Sequence, residues 1–292
     1  MRAAVEGFFC GATGAGEEVK GWVMNKENHE MKTSYGLDLA GFSAGKSALA
    51  KATFDETQGF QVVVYRTHPF SKELEGRDHI GPQLDEEREL IQILSPLYID
   101  VPIDLQGLPV PKHFTFTWEL TKRPIDFAFG ALPPLADRIG TPVARMKNIL
   151  RDINFDILGV NIFETYPKAS LANILDEMPS YKAQTAEFSQ GVWIGEGGLA
   201  DILRMMNAIA EEGTVLNDDH VDAMICSLTG VVPPDHLLQG ELLETEVRRR
   251  LNKKVRAVDR PHLITTLPKG YVVISKLPHT PLHVTLADEM YS

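Results

Sequence analysis

The chain has 292 residues, 43% of them hydrophobic, and a formal net charge of -11, which is enough apolar material for a sizeable core and suits one large domain better than a string of modules. The acidic balance excludes unspecific adhesion to nucleic acid, which needs surplus Lys and Arg to displace counterions, so any nucleic-acid contact has to be local. Cys10 and Cys226 are far apart and give neither a disulfide framework nor a zinc pair; no apolar run reaches the roughly 20 residues of a membrane helix; the expectation is a cytoplasmic protein.

Residues 1–30 are Gly-rich and without sustained periodicity, and read as a loose extension ahead of a domain over 31–292. Their "GATGAG" has its glycines in the wrong order for a dinucleotide fingerprint. From Thr33 three strand-like runs, "SYGLDLAG", "SALAKATF" and "FQVVVYRT", are separated by polar turns, as in an antiparallel meander. The period then changes: "QLDEERELIQIL" is helical and leads into "PLYIDVPIDL", a buried strand ending in Asp100 and Asp104. The prolines over about 105–155 predict loops and short helices inserted at the end of that strand. "ILGVNIFETYP" is a further strand, closing on Glu164. "GGLADILRMMNAIAEEG" places Leu199, Ile202, Leu203, Met206 and Ile209 at helical spacing, and "NDDHVDAMICSLTG" is a second helix with acids in its first turn. From about 231 a C-terminal extension carries a basic segment, "EVRRRLNKKVRAVDR", and "LPKGYVVISKLP", read as a terminal strand.

Gly45-Lys46-Ser47 invites a phosphate-loop reading, but the position that should be the first glycine is Ala40, and a strand follows where a helix is needed; the glycines better turn a hairpin. Asp38, in an apolar strand, is then the residue that needs an explanation, because a buried carboxylate without partners costs several kcal/mol or takes up a proton. Asp100 and Glu164 close later strands, and Asp219 and Asp222, three apart on one helix face, look at the same sheet. Carboxylates gathered at strand ends repel unless hard cations bind among them, and Mg²⁺ or Mn²⁺ is the natural filling.

An Asp on the first strand of a β-β-β-α-β-α-β-α order, an acid on the fourth strand and "DHVDA" on a late helix resemble the ribonuclease H-like superfamily. Within it, "GLDLAG", "IDVPIDL", "FETYPKASL", "NDDHVDAMICSLTG" and "KGYVVISKLP" are similar to the domain-of-unknown-function 429 family, whose members are predicted to be ribonuclease H-like nucleases; the likeness runs over roughly residues 31–280. It implies a mixed α/β sheet, three antiparallel strands and then parallel ones, flanked by helices. It also implies a nuclease in which Asp38, Asp100 or Glu164, Asp219 and Asp222 bind two metal ions for phosphodiester hydrolysis. Junction resolvases of the superfamily carry Glu where this chain has Asp100, and Asp104 is a further candidate.

Each signal has a plainer reading. Asp218, Asp219 and Asp222 also suit a helix start, with Asp218 as N-cap; His220 there reads as a surface residue and Cys226 as core. Arg248, Arg249, Arg250, Lys253, Lys254, Arg256 and Arg260 form either a local basic patch or a solvated face; Arg123, Arg138 and Arg145 are cleft candidates; Trp118 and Trp193 suit core packing better than base stacking. Lys168 is a candidate phosphate contact. Two competing functions stay open: an actin-like ATPase or phosphotransferase, for which "GLDLAG" would be the first phosphate motif, and a ribonuclease H-like scaffold that binds without turnover.

Overall fold

The computed structural model describes residues 31–42, 46–76, 78–104, 121–134, 137–152, 157–175, 177–257, 259 and 267–290. The expected N-terminal extension, the turn at 43–45, the first part of the Pro-rich insert with Trp118, and Arg260 lie outside the described residues.

Three strands, β1 (Lys32–Asp38), β2 (Ala48–Asp55) and β3 (Gly59–Thr67), form the antiparallel meander, with Leu37 opposite Leu49 and Phe54 opposite Phe60. Helix α1 (Ile80–Ile93) then crosses over to β4 (Leu97–Ile99), which runs parallel to β1. β4 is shorter than "PLYIDVPIDL" suggests, and Asp100 lies just past its end. The insert forms α2 (Pro124–Phe129) and α3 (Asp137–Ile149), and β5 (Ile162–Thr165) pairs parallel with β4.

After α4 (Pro167–Ile174), a hairpin of β6 (Thr185–Ser189) and β7 (Val192–Ile194) appears that the sequence reading missed. The predicted helix through Ile209 stops early: α5 (Gly198–Met205) gives way to β8 (Ala208–Ala210), because Asn207 turns into the left-handed region at φ 53° and breaks the helical path. β9 (Val215–Asn217) joins β6 in a small sheet ordered β7-β6-β9 and delivers the chain into α6 (Asp218–Thr229). The N-cap of α6 is Asn217, not Asp218; its side chain accepts a 2.8 Å bond from the backbone N–H of His220, whose imidazole completes a capping box. β10 (Leu237–Leu238), α7 (Gly240–Lys254) and β11 (Tyr271–Ile274) follow. β11 is not terminal: β12 (Leu282–Glu289), alternately buried and exposed in its first half, inserts between β3 and β8.

The large sheet is therefore mixed, with nine strands in the order β10-β11-β5-β4-β1-β2-β3-β12-β8 and helices on both faces. Residue alternation assigns the faces. Ala48, Ala50, Ala52, Val62 and Val64 pack under α5 and α6. Leu37, Leu49, Leu97 and Ile99 pack with α1 and α3 on the other side. Among the described residues no helix is long and apolar enough to cross a membrane.

Candidate functional site

The site is set by how closely α6 lies on β1. Ser34, Gly36 and Asp38 alternate onto the α6 face of the strand. The hydroxyl of Ser34 donates to the carbonyl of Ser227, and Gly36 leaves no room for a side chain, since an added Cβ would sit 2.1 Å from the Ser227 nitrogen and 2.2 Å from the Ala223 oxygen. Two residues on, Asp38 faces the first turns of α6, where Asp219 and Asp222 project. On its other side the parallel register sets Leu37 beside Ile99, and the backbone N–H of Asp100 donates to the Leu37 carbonyl at 2.9 Å. Asp38 and Asp100 thus end adjacent strands side by side.

Asp38, Asp100 and Asp219 line one pocket of about 550 Å³, together with Lys46, Arg123, Asp126, Glu164, Thr165, Tyr166, Lys182 and Tyr271, and an apolar wall of Leu132, Ile139 and Pro142. Asp222 is buried immediately behind it. Burial pushes the Asp38 and Asp100 carboxyls well above the ordinary carboxylate range, and the neighbouring Asp222 charge adds to both. Asp219 is pushed up to about 6, first by burial and then by Asp218. Among the described residues nothing donates a hydrogen bond to the carboxylates of Asp38, Asp100 or Asp219. The buried Thr165 hydroxyl beside them also lacks a partner.

Glu164 lines the same pocket in a different state. Both its oxygens are engaged by the Arg123 guanidinium at 2.6 and 2.9 Å, and Oε2 also accepts from the backbone N–H of Ile103 at 3.0 Å. Arg123, 1% exposed, forks onto Asp126 as well. Glu164 is tied into the wall while Asp38 and Asp100 face open space. Asp104 is likewise occupied, its Oδ2 accepting from the Lys269 N–H and its carbonyl from Arg123.

Lys182, unremarkable in the sequence, is the cation at the cluster. Its ammonium pairs with Asp222 Oδ2 and lies 3.8 Å from Asp218 Oδ2. Against burial, which acts to lower it, Asp222 and Asp38 raise its pKa. The Tyr181 hydroxyl donates to Asp222 Oδ1 at 2.8 Å. A lysine in "SYKAQ" carries no pattern that marks it; only the fold brings it to α6.

The remaining candidates do not line the pocket. Arg145 is buried against Glu87 and donates to the Ala40 carbonyl at 2.9 Å, bracing the loop after β1. Lys168 is exposed, Trp193 is core with its N–H on the Ala208 carbonyl, and Cys226 is core. Of the basic segment, Arg248, Arg249 and Arg250 pair with Glu244 and Glu246 along α7. The side chain of Arg138 lies outside the described residues.

The donor set of the pocket is hard oxygen, which suits Mg²⁺ or Mn²⁺. Among the described residues there is no group of three or more His, Cys, Asp or Glu side chains that could hold a metal ion. No protein family, curated protein or solved structure matches the chain.

Proposed function

We propose that this protein is a metal-dependent nuclease of the ribonuclease H-like kind, similar to the domain-of-unknown-function 429 family. The observation that carries the proposal is the meeting of Asp38, Asp100, Asp219 and Asp222, remote in sequence, at the ends of two parallel strands and the start of α6. An antiparallel β1-β2-β3 meander continued by β4 and β5 parallel to β1 supports the fold assignment.

In this reading Asp38, Asp100 and Asp219 are the ligands, with Asp222 behind them and Glu164 serving through Arg123 to hold the wall. Divalent ions bound there would supply activation of water and stabilisation of the leaving oxygen of a phosphodiester. The chain's own residues do the rest. Lys46 and Lys182 offer positive charge at the pocket to an anionic backbone, and Leu132, Ile139 and Pro142 offer an apolar wall to a sugar or base.

The test is a cleavage panel of single-stranded RNA, RNA–DNA hybrid, single-stranded DNA and branched DNA with Mg²⁺ or Mn²⁺. Metal-dependent cleavage of at least one substrate, lost in a folded Asp38→Asn protein, is the expected result. ATP turnover without cleavage would favour an actin-like phosphotransferase, and metal binding without turnover a binding scaffold.

A further inference from the structure

We propose that Thr165 is a substrate-binding residue of the candidate site: its hydroxyl donates to a non-bridging phosphate oxygen of the nucleic-acid strand and so positions the strand beside the carboxylates. The inference rests on the reading of the pocket as a nuclease site and adds to it a residue that the acids do not account for.

The sheet sets the placement. Leu37 of β1 pairs with Ile99 of β4, Ile99 with Glu164 of β5, and Thr165 with Val272 of β11, all in parallel register. One residue beyond the first two pairs, Asp38, Asp100 and Thr165 come level at the ends of three neighbouring strands, roughly 4.8 Å from each strand to the next. Alternation also gives them one face. Tyr98 and Phe163, two residues earlier, stack with ring centres 4.8 Å apart on the α6 side of the sheet, whereas Glu164 turns the other way to meet Arg123. The row therefore runs carboxylate, carboxylate, hydroxyl, and ends on the apolar Val272.

The second observation is the hydroxyl itself. Thr165 is 2% exposed and lines the pocket, and its Oγ1 has no hydrogen-bond partner among the described residues. A buried hydroxyl left unpaired is unfavourable, and a valine would fill the same space without that cost, so the fold by itself gains nothing from this oxygen. Its partner has to come from the pocket. An ionised carboxylate only accepts, whereas a hydroxyl can donate and brings no negative charge; non-bridging phosphate oxygens, in turn, only accept. The Arg123 guanidinium beside it is engaged with Glu164, Asp126 and the Asp104 carbonyl. Thr165 is thus the uncharged donor at the end of the acidic row, with Lys46 and Lys182 on the same pocket to balance an anion's charge.

The experiment compares the full-length native chain with Thr165→Val and Thr165→Ser. Three quantities are read: the unfolding midpoint without metal, Mn²⁺ binding by electron paramagnetic resonance, and KM and kcat with Mn²⁺ on whichever oligonucleotide of the cleavage panel the native chain cuts. Thr165→Val is expected to keep the midpoint at or above the native one and to bind Mn²⁺ as the native chain does. Its KM should rise about ten- to a hundredfold with kcat little changed, as the loss of one hydrogen bond to a charged group would give. Thr165→Ser should restore KM. A lower midpoint in the Val variant assigns the hydroxyl to the fold, weaker Mn²⁺ binding assigns it to the ion, and an unchanged KM leaves it idle; each overturns the inference and leaves the nuclease standing. A native chain that cuts no member of the panel overturns the nuclease reading, and this inference with it.

Discussion

Gly36 of β1 touches Ala223 of α6 backbone to backbone: a Cβ added to the glycine would meet the Ala223 carbonyl oxygen at 2.2 Å. The nearest atoms are main chain and the Cys226 Cβ, so the clash cannot be relieved by turning a flexible side chain. Gly36→Ala is expected to cost about 3 kcal/mol or more by overpacking. It should also push Asp222 away from Asp38, weakening Mn²⁺ binding in whatever protein still folds. Thermal unfolding beside a Mn²⁺ titration checks both, and a variant of native stability contradicts the close approach.

Asp38→Asn should separate function from stability. The Asn side chain is nearly the same size but carries no charge, so it relieves repulsion with Asp222 and Asp100. Without metal, the unfolding midpoint is expected to rise, by about 2–4 °C for each kcal/mol relieved in a domain of roughly this size. Cleavage should fall to background in the same protein. A midpoint that drops would mean that the Asp38 carboxylate is stabilising the apo fold.

The pH dependence has a definite sign. The carboxyls of Asp38, Asp100 and Asp222 are raised, and Asp219 is raised to about 6, so above pH 4 the native protein keeps protons that the unfolded chain has released. The stabilising contribution of Asp219 is complete below pH 4 and is lost as pH rises through about 6, and those of Asp38, Asp100 and Asp222 are lost as pH rises through their own raised values. Metal-free protein is therefore expected to lose stability from these groups between pH 5 and pH 7.5, less so in Asp38→Asn. Mg²⁺, which competes with the protons, should raise the midpoint more at pH 7.5 than at pH 5. Differential scanning fluorimetry on both proteins at both pH values reads the comparison, and an equal metal effect at the two pH values counts against it.

Arg123→Met should be among the most damaging single changes in the pocket wall. It leaves Glu164, 3% exposed, and Asp126, 2% exposed, without their guanidinium, and removing one member of such a buried set costs about 3–5 kcal/mol. Arg123→Lys should recover little, because one ammonium cannot replace a fork that reaches both carboxylates and the Asp104 carbonyl. Chemical denaturation of the two variants measures this; near-native stability of the Lys form would show that the fork is dispensable.

The meander, α1, α6 and the acids were legible in the sequence because each rests on local signals: alternation in "FQVVVYRT", acids in the first turn of α6, and a charge where an apolar strand has no use for one. The small strands β6 to β9 were not. They are three to five residues long, too short for a period to show, and β8 continues a helical pattern that only the turn at Asn207 interrupts. That Asp38, Asp100 and Asp219 line one pocket while Glu164 is held by Arg123 is a matter of tertiary contact: Glu164 and Asp100 look alike at strand ends, and nothing in "FETYP" shows a guanidinium arriving from 41 residues away. Lys182 was missed for the same reason.

The pairing of β6 with β9 sets Thr185 opposite Asn217, and Tyr181 and Lys182 lie just before the one and α6 begins just after the other. That ladder acts as a ruler between the Lys182 ammonium and the helix carboxylates, because a slip of one residue would turn every side chain to the opposite face. Length changes at the far end of the β6-β7 hairpin, around Gln190 and Gly191, are outside the measured span and leave its calibration alone. A single residue inserted between Ala183 and Thr185 would put the ruler out by one division.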